Sequence, residues 1–207
     1  MEKFKKILKE IFFSFAWLFV LLLVTDIVTK LVVSRAIPID SDEHIVLIPG
    51  FLRISCTGNA NAAFGMGIRD ATTNRIIYII VAILATCGLM FYYIRNYKKT
   101  SKYIKACLML ITTGAVGNLI DRLFYSFSDY CVIDWIDFYG IWKYNFNIAD
   151  SCIVIGVIML MVWLIVEEVK EYKLAKANTS KEPVETVSSE EKKRLERDEK
   201  DKKDENI

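Results

Sequence analysis

Two aspartates beside apolar segments have the types and spacing needed for acid–base chemistry. Asp134 lies in the segment VIDWID, and Asp150 opens a long apolar run in NFNIADS, 16 positions further on. An intervening loop can leave and return within that length. Two carboxyl groups in one pocket cannot both ionise easily, so one accepts a proton from water while the other donates one. The pair predicts aspartic proteolysis, with Asp150 as base because a helix N-terminus stabilises an anion, and Asp134 as acid.

The rest of the composition argues against other hydrolytic and metal chemistries. The single histidine, His44, stands in a polar loop, so a Ser-His-Asp or Cys-His site has nothing near it to build on. The five cysteines form no C-x-x-C pair and no regular spacing, unlike a zinc site or a disulfide framework. We expect no cofactor and no metal. We also expect no nucleic-acid partner, because the net charge is only +2.

Hydropathy predicts four membrane spans. Apolar residues make up 54% of the chain, above the ~45–50% of soluble domains. Four apolar runs approach the ~20 residues that cross the hydrocarbon of a bilayer. The predicted spans are 11–33, 76–94, 106–123 and 146–166. The first is interpreted as a retained span rather than a signal peptide, because its apolar part exceeds the ~7–15 residues of such peptides and no A-x-A-like site follows.

These spans predict an all-α membrane protein with polar segments at defined places. A four-helix membrane domain covers 11–166 and carries two polar loops, 35–75 and 124–145, the first with strand-like β-branched content. A basic segment, 1–10, precedes this domain. The charged tail, 167–207, has too little apolar content for a core, so we expect helix or disorder there.

Basic residues predict an orientation for the chain. The N-terminal segment has four lysines, and the connection 95–105 has five basic residues and no acid. By the positive-inside rule both face the cytoplasm, together with the tail, and the two polar loops face outward. The outer face then collects these polar residues: Asp26, Lys30, Asn59, Asn61, Asn118, Asp121, Arg122, Asp134, Asp137, Asn147 and Asp150.

Charged side chains near a membrane require an explanation, since one at the bilayer centre costs ~2.5–3.5 kcal/mol on translocon-based scales. For any one residue a salt bridge or a helix cap suffices. The whole cluster favours a water-accessible pocket. Gly114 and Gly117 are typical of close helix packing. The aromatic residues of the loop 124–145 are typical of an interfacial belt, with a lid over the site as the alternative.

The order of the polar motifs resembles the bacterial lipoprotein signal peptidase family, also called signal peptidase II. The resemblance covers roughly residues 15–166, and its motifs are TDIVTK, NANAAFG, GAVGNLIDR, VIDWI and FNIADS. It implies a four-helix membrane aspartyl endopeptidase of the bacterial inner membrane, with a small extracytoplasmic β-cradle. The active site would lie at the extracytoplasmic face, and we expect a monomer.

The resemblance also implies a substrate and residue roles. The family removes the signal peptide of a prolipoprotein before a cysteine that carries diacylglycerol, so the partners would be diacylglyceryl-modified prolipoproteins and membrane lipids. The motifs imply Asp134 and Asp150 as the catalytic pair. Substrate-binding roles fall to Asn59, Asn118, Arg122 and Asn147, and supporting roles to Asp26, Lys30, Asp121, Gly114 and Gly117.

Two departures from the family pattern leave alternatives open. Asn61 stands where the family usually has glycine, although Asn adopts positive φ better than most residues. The segment LFYSFSDYC before VID is longer than the family pattern, so Asp137 is an alternative to Asp134. The competing functions are a four-span transporter or ion-relay subunit, which would spread charge through the membrane depth, and an inactive relative that only binds lipoprotein precursors.

Overall fold

The computed structural model describes residues 10, 14–61 and 70–179, with four further single positions at 192, 194, 196 and 197. Three predicted features therefore lie wholly or mostly outside the described residues: the basic segment 1–10, the second half of the motif NANAAFG, and the tail beyond 179. Residues 11–13 of the first predicted span also lie outside them.

Four helices of the described part are long and apolar enough to cross a membrane. They are α1 (Ala16–Ala36), α2 (Ala71–Asn96), α3 (Lys102–Phe124) and α4 (Ile148–Thr179). Helix α4 runs beyond residue 166 into the segment expected to be tail. The predicted fold class, a mostly helical membrane protein with a small sheet, is confirmed.

Helix α1 is polar on its buried side and apolar on its exposed side. Asp26 and Lys30 are completely buried, whereas Val24 and Val28 are about half exposed. A soluble helix shows the reverse pattern. Aliphatic side chains facing outward and charges facing inward suit a helix surrounded by lipid.

Helices α2 and α3 are joined by a short connection, so they run in opposite directions. Asp70 caps α2 by accepting from the Thr73 N–H at 3.0 Å, and Ser101 caps α3 by accepting from the Ile104 N–H at 3.3 Å. The start of α2 therefore lies beside the end of α3. Arg75 Nε confirms this, because it donates to the Arg122 carbonyl at 2.9 Å.

Three antiparallel strands form a small sheet in the order β1 (Ile45–Ile48), β2 (Leu52–Asn59) and β3 (Val132–Asp137). The strand-like segment HIVLIPGFLRIS becomes two strands, because the chain turns at Gly50 with φ of +71°. β3 lies within the segment that the sequence analysis treated as a loop. It pairs with β2 so that Thr57 lies opposite Asp134.

A small apolar core fastens this sheet to the helices. It consists of Val33, Ile37, Cys56, Tyr125 and Ile133. These residues come from the end of α1, from β2, from the end of α3 and from β3. The core therefore fixes β3, which carries Asp134, against two of the membrane helices.

Small residues allow α3 to approach its neighbours closely. A Cβ added at Gly114 would lie 2.2 Å from the Ala149 carbonyl oxygen on α4. One added at Gly117 would lie 2.7 Å from Asp26 Oδ2 on α1 and 2.9 Å from Ala149 Cβ. Both glycines thus lie at positions where helices touch.

The chain divides into two compact units, Met1–Leu160 and Met161–Ile207. The sheet and every polar residue singled out by the sequence analysis belong to the first unit. In the second unit, Lys170 Nζ forms an exposed ion pair with Glu167 at 2.8 Å.

Candidate active site

Asp134 is held by two side-chain amides. It is 2% exposed. Asn147 Nδ2 donates to its Oδ1 at 2.6 Å, and Asn59 Nδ2 donates to its Oδ2 at 2.9 Å. The pairing of β2 with β3 brings Asn59 close, and the loop that returns from β3 brings Asn147. Both carboxyl oxygens of Asp134 are therefore oriented by neutral donors.

Asp150 lies in the first turn of α4, where it forms a reciprocal cap with Asn147. Asn147 Oδ1 accepts from the Asp150 N–H at 2.7 Å, and Asp150 Oδ2 accepts from the Asn147 N–H at 3.3 Å. This is the capping-box arrangement, here formed by Asn and Asp. Asn118 Nδ2 on α3 donates to Asp150 Oδ1 at 2.7 Å. Asn147 is thus bonded to both aspartates.

The environment of Asp134 favours its protonated form. Burial, followed by the nearby carboxyl of Asp150, raises the pKa of Asp134 to about 7, against the lowering effect of the Asn59 and Asn147 hydrogen bonds and of Lys30. Near neutral pH one carboxyl of the pair can therefore hold a proton while the other is ionised. Because the two groups interact, they titrate as a pair.

A buried ion cluster lies directly behind the aspartate pair. Lys30 Nζ is 2.7 Å from Asp26 Oδ2 and 2.9 Å from Asp121 Oδ2, and all three side chains are completely buried. Lys30 also donates to Asn118 Oδ1 at 3.1 Å, which turns the Asn118 amide group towards Asp150. This cluster therefore orients one of the groups that hold the pair.

The two carboxylates of this cluster also fasten other elements together. Asp26 Oδ1 accepts from the Ala149 N–H at 2.8 Å, and Asp121 Oδ2 accepts from the Ile133 N–H at 3.2 Å. Ala149 and Ile133 are the chain neighbours of Asp150 and Asp134. The cluster thus positions the backbone beside each aspartate of the pair.

Arg122 extends from the end of α3 to the loop after β2. Its Nη1 donates to the Asn118 carbonyl at 3.2 Å, and its Nη2 donates to the Asn61 carbonyl at 2.9 Å. Among the described non-glycine residues, positive φ occurs at Phe15, Asp40, Asp129 and Tyr130, and Asn61 is not one of them. Asn61 therefore replaces the usual glycine without adopting a positive φ, so the tolerance of Asn for that conformation is not needed here.

The aspartates face a common cavity of about 430 Å³. Its polar lining includes Asn59, Asn118, Arg122, Asp134 and Asp150, and Phe146, Ile153 and Val154 contribute an apolar part. Such a mixture suits a ligand that is both apolar and polar. Among the described residues, no group of three or more His, Cys, Asp or Glu side chains could hold a metal ion.

Asp137, the alternative to Asp134, is engaged elsewhere. It forms an ion pair with Arg53 on β2, and the Arg53 guanidinium lies 4.0 Å from the centre of the Tyr139 ring. Asp137 does not line the cavity that contains Asp134 and Asp150. The geometry therefore favours Asp134 as the partner of Asp150.

The sequence assigns no role to two polar residues that the structure places at the site. Asn145 lines the cavity and donates to Ser55 Oγ at 2.8 Å and Thr57 Oγ1 at 3.2 Å. Asn74, 1% exposed, donates to Asn61 Oδ1 at 3.2 Å. Asn74 was assigned to a polar loop because the predicted span began at 76. The sequence signal that could have placed Asn74 on the helix is its position one turn after Asp70, a residue type that often caps helices.

These features define a class: a multi-pass membrane protein in which two carboxyl groups, several amides and an arginine meet at one end of the helices. A family model described as signal peptidase (SPase) II matches residues 18–166. The chain belongs to this family, whose members are peptidases that remove signal peptides from prolipoproteins. The predicted family resemblance is thereby confirmed, and the chain is a multi-pass bacterial membrane protein.

Individual relatives and solved structures agree with this assignment. The chain is 35% identical over 150 residues to a lipoprotein signal peptidase of Fusobacterium nucleatum, covering 72% of this chain and 84% of the relative. It is 39% identical over 152 residues to that of Clostridium tetani, covering 72% and 90%. A structure described as a bacterial membrane enzyme, obtained by the in meso method, matches with a TM-score of 0.63 and 28% identity, covering 72% of this chain and 86% of that one.

Proposed function

We propose that the protein is an aspartyl endopeptidase that removes the signal peptide from diacylglyceryl-modified prolipoproteins by cleaving before the lipidated cysteine. The observation that carries this proposal is the position of Asn147, which bonds to Asp134 through its side chain and to Asp150 through its backbone. One residue thus holds two carboxyl groups at one cavity. Paired carboxyl groups of this kind are suited to amide hydrolysis.

The mechanism uses one proton of the pair. Asp150 accepts a proton from a water molecule as the water oxygen attacks the carbonyl carbon before the lipidated cysteine, and Asp134 donates its proton to the carbonyl oxygen. The resulting tetrahedral diol then collapses. The proton held by Asp150 passes to the amide nitrogen, the C–N bond breaks, and a diol proton returns to Asp134. The raised pKa of Asp134 supports its role as the acid.

The surrounding amides and Arg122 would position the substrate chain. Asn59 and Asn147 orient Asp134, and Asn118 orients Asp150. Arg122 lies on the cavity wall, where a guanidinium can donate to peptide carbonyl oxygens of an extended substrate. The apolar side chains that α4 contributes to the cavity wall, Ile153 and Val154, would lie nearest to the lipid chains.

The proposed site faces the extracytoplasmic side. The site lies at the start of α2 and the end of α3, so the connection between these helices lies at their opposite ends. That connection carries exposed Arg95, Lys98 and Lys99, and basic connections face the cytoplasm.

A cleavage assay with three matched variants tests the proposal. A diacylglyceryl-modified prolipoprotein is incubated in detergent with wild type, Asp134→Asn, Asp150→Asn and Asp137→Asn, and the product is followed by gel shift. We expect Asp134→Asn and Asp150→Asn to lose at least ~10³-fold in rate, because each removes a proton-transfer group. Asp137→Asn, the same change three positions along β3, should remain within ~3-fold of wild type.

Each other outcome has a defined meaning. Loss of activity in Asp137→Asn but not in Asp134→Asn would show that Asp137, and not Asp134, is the catalytic partner of Asp150. Full activity of Asp150→Asn would refute the aspartic mechanism. A folded wild type that leaves a correctly lipidated substrate uncut would refute the peptidase and favour the transport or precursor-binding alternatives.

A further inference from the structure

We propose that Asn74 is a positioning residue for this reaction, acting through Asn61 on the two groups that Asn61 holds. The inference rests on the proposed function and extends it to a residue on α2, a helix that carries no aspartate of the site. It starts from Asn61, which departs from the family pattern and which lies between the cavity and α2.

A chain of three hydrogen bonds links Asn74 to Asp134. Asn74 Nδ2 donates to Asn61 Oδ1 at 3.2 Å, and the Asn61 N–H donates to Asn59 Oδ1 at 2.9 Å. Asn59 Nδ2 then donates to Asp134 Oδ2 at 2.9 Å. Because the Asn59 oxygen is occupied by the Asn61 N–H, its NH₂ group must face Asp134.

Asn61 is also bonded through its carbonyl group, which follows its N–H along the backbone. The Asn61 carbonyl accepts from Arg122 Nη2 at 2.9 Å. A displacement of Asn61 would therefore change both the orientation of Asn59 and the direction of the Arg122 guanidinium. One backbone position controls an amide at Asp134 and a cation on the cavity wall.

Asn74 can hold Asn61 in place because it is buried on a helix whose start is fixed. It is 1% exposed and lies in the first turn of α2, whose start is fixed by the Asp70 cap. Asn61 lies in a loop after β2, where backbone positions are less constrained than in a helix. A buried amide on a helix is a rigid attachment point for a loop that supports a catalytic group.

The test combines a double-mutant cycle with a pH profile. Cleavage is measured for wild type, Asn74→Ala, Asn61→Gly and the double variant. We expect Asn74→Ala to lower kcat about 10-fold, with a smaller rise in KM because Arg122 also shifts. The high-pH limb of kcat should move upward, because Asp134 loses a donor that lowers its pKa. The other charged groups around Asp134 are Asp150, Lys30 and Arg122, and they are unchanged in these variants.

The cycle separates an effect through Asn61 from any other effect. Asn61→Gly should lower kcat by a similar factor, and the double variant should be no slower than Asn61→Gly by more than about 2-fold. Asn96→Ala is the matched control, because Asn96 lies on the same helix and donates to the Tyr92 carbonyl at 3.1 Å. It should cleave like wild type.

Three results would overturn the inference: wild-type kcat in Asn74→Ala, multiplied losses in the double variant, or an unchanged pH profile. If Asn74→Ala does not fold, Asn61→Gly alone tests the inference. A wild-type kcat and a wild-type pH profile in Asn61→Gly would also overturn it. Asp134→Asn runs in the same assay. Cleavage by Asp134→Asn would refute the proposed function, whereas an inactive Asp134→Asn beside a fully active Asn74→Ala would refute only the role of Asn74.

Discussion

The carboxylates of Asp26 and Asp121 lie on either side of the Lys30 ammonium, whereas in the described part of the chain the carboxyl groups of Asp134 and Asp150 accept hydrogen bonds only from amides. Both pairs lie at the same end of the bundle, and Asn118 connects them. The ammonium group of Lys30 compensates the charge of the first pair. Amides donate hydrogen bonds but bring no charge, so two ionised carboxylates would repel each other in the second pair.

The difference separates a structural arrangement from a reactive one. A cation between two buried carboxylates stabilises their ionised forms and joins helices. Neutral donors hold two carboxyl groups in place and leave one proton to be shared. The same side-chain type thus serves two purposes only 13 positions apart in the sequence, at Asp121 and at Asp134.

The largest expected effect on stability comes from removing the cation. Lys30→Met leaves Asp26 and Asp121 buried without a positive partner, so we expect it to lower the free energy of unfolding by ~3–5 kcal/mol. Thermal unfolding in detergent measures this. Lys105→Met is the control, because the Lys105 ammonium lies 3.7 Å from the Tyr97 ring centre and should contribute only ~1 kcal/mol. Equal melting of Lys30→Met and wild type would contradict the structural role of the cluster.

The second prediction concerns the shared proton. Because burial and Asp150 raise the pKa of Asp134 to about 7, the pair loses its remaining proton as the pH rises through that value. We expect kcat to fall about tenfold per pH unit above ~7. Steady-state cleavage between pH 5 and 9 measures this. A kcat that stays constant up to pH 9 would show that the proton of Asp134 is not used.

The smallest expected effect is a gain in stability. Between pH ~4 and ~7 the Asp134 carboxyl ionises in the unfolded chain but not in the folded one, so wild type loses stability as the pH rises through this window. Asp134→Asn removes this loss of stability. The gain is partly offset, because the variant has one fewer acceptor for the hydrogen bonds from Asn59 and Asn147. We expect the variant to be more stable than wild type by ~1 kcal/mol at pH 8 and by less at pH 5.

Asp137→Asn provides the comparison for that measurement. It removes the ion pair with Arg53, so it should be slightly destabilising, by up to ~1 kcal/mol. If Asp134→Asn were destabilising at pH 8 by as much as Asp137→Asn, the two aspartates would have equivalent structural roles. The contrast between the amide-held pair and the ion-paired carboxylates would then fail.

Hydropathy along the chain predicts the four membrane helices, and the polar motifs at their ends predict most of the residues that meet at the site. The length and apolarity of a span are local properties, so four of them can be predicted without tertiary information. The polar residues at the ends of the spans are informative for a different reason: a charged side chain near a membrane requires a partner or a function.

Tertiary structure decided which of these residues meet. β3 is only six residues long and forms by pairing with β2, far away in sequence, so the sequence alone predicts a loop there. That pairing places Asp134 at the cavity and Asp137 beside Arg53, since residues three apart on a strand point to opposite faces. Asn74 gains its importance only through its contact with Asn61. Hydropathy depends on neighbours along the chain, whereas strand pairing and side-chain contacts depend on residues that folding brings together.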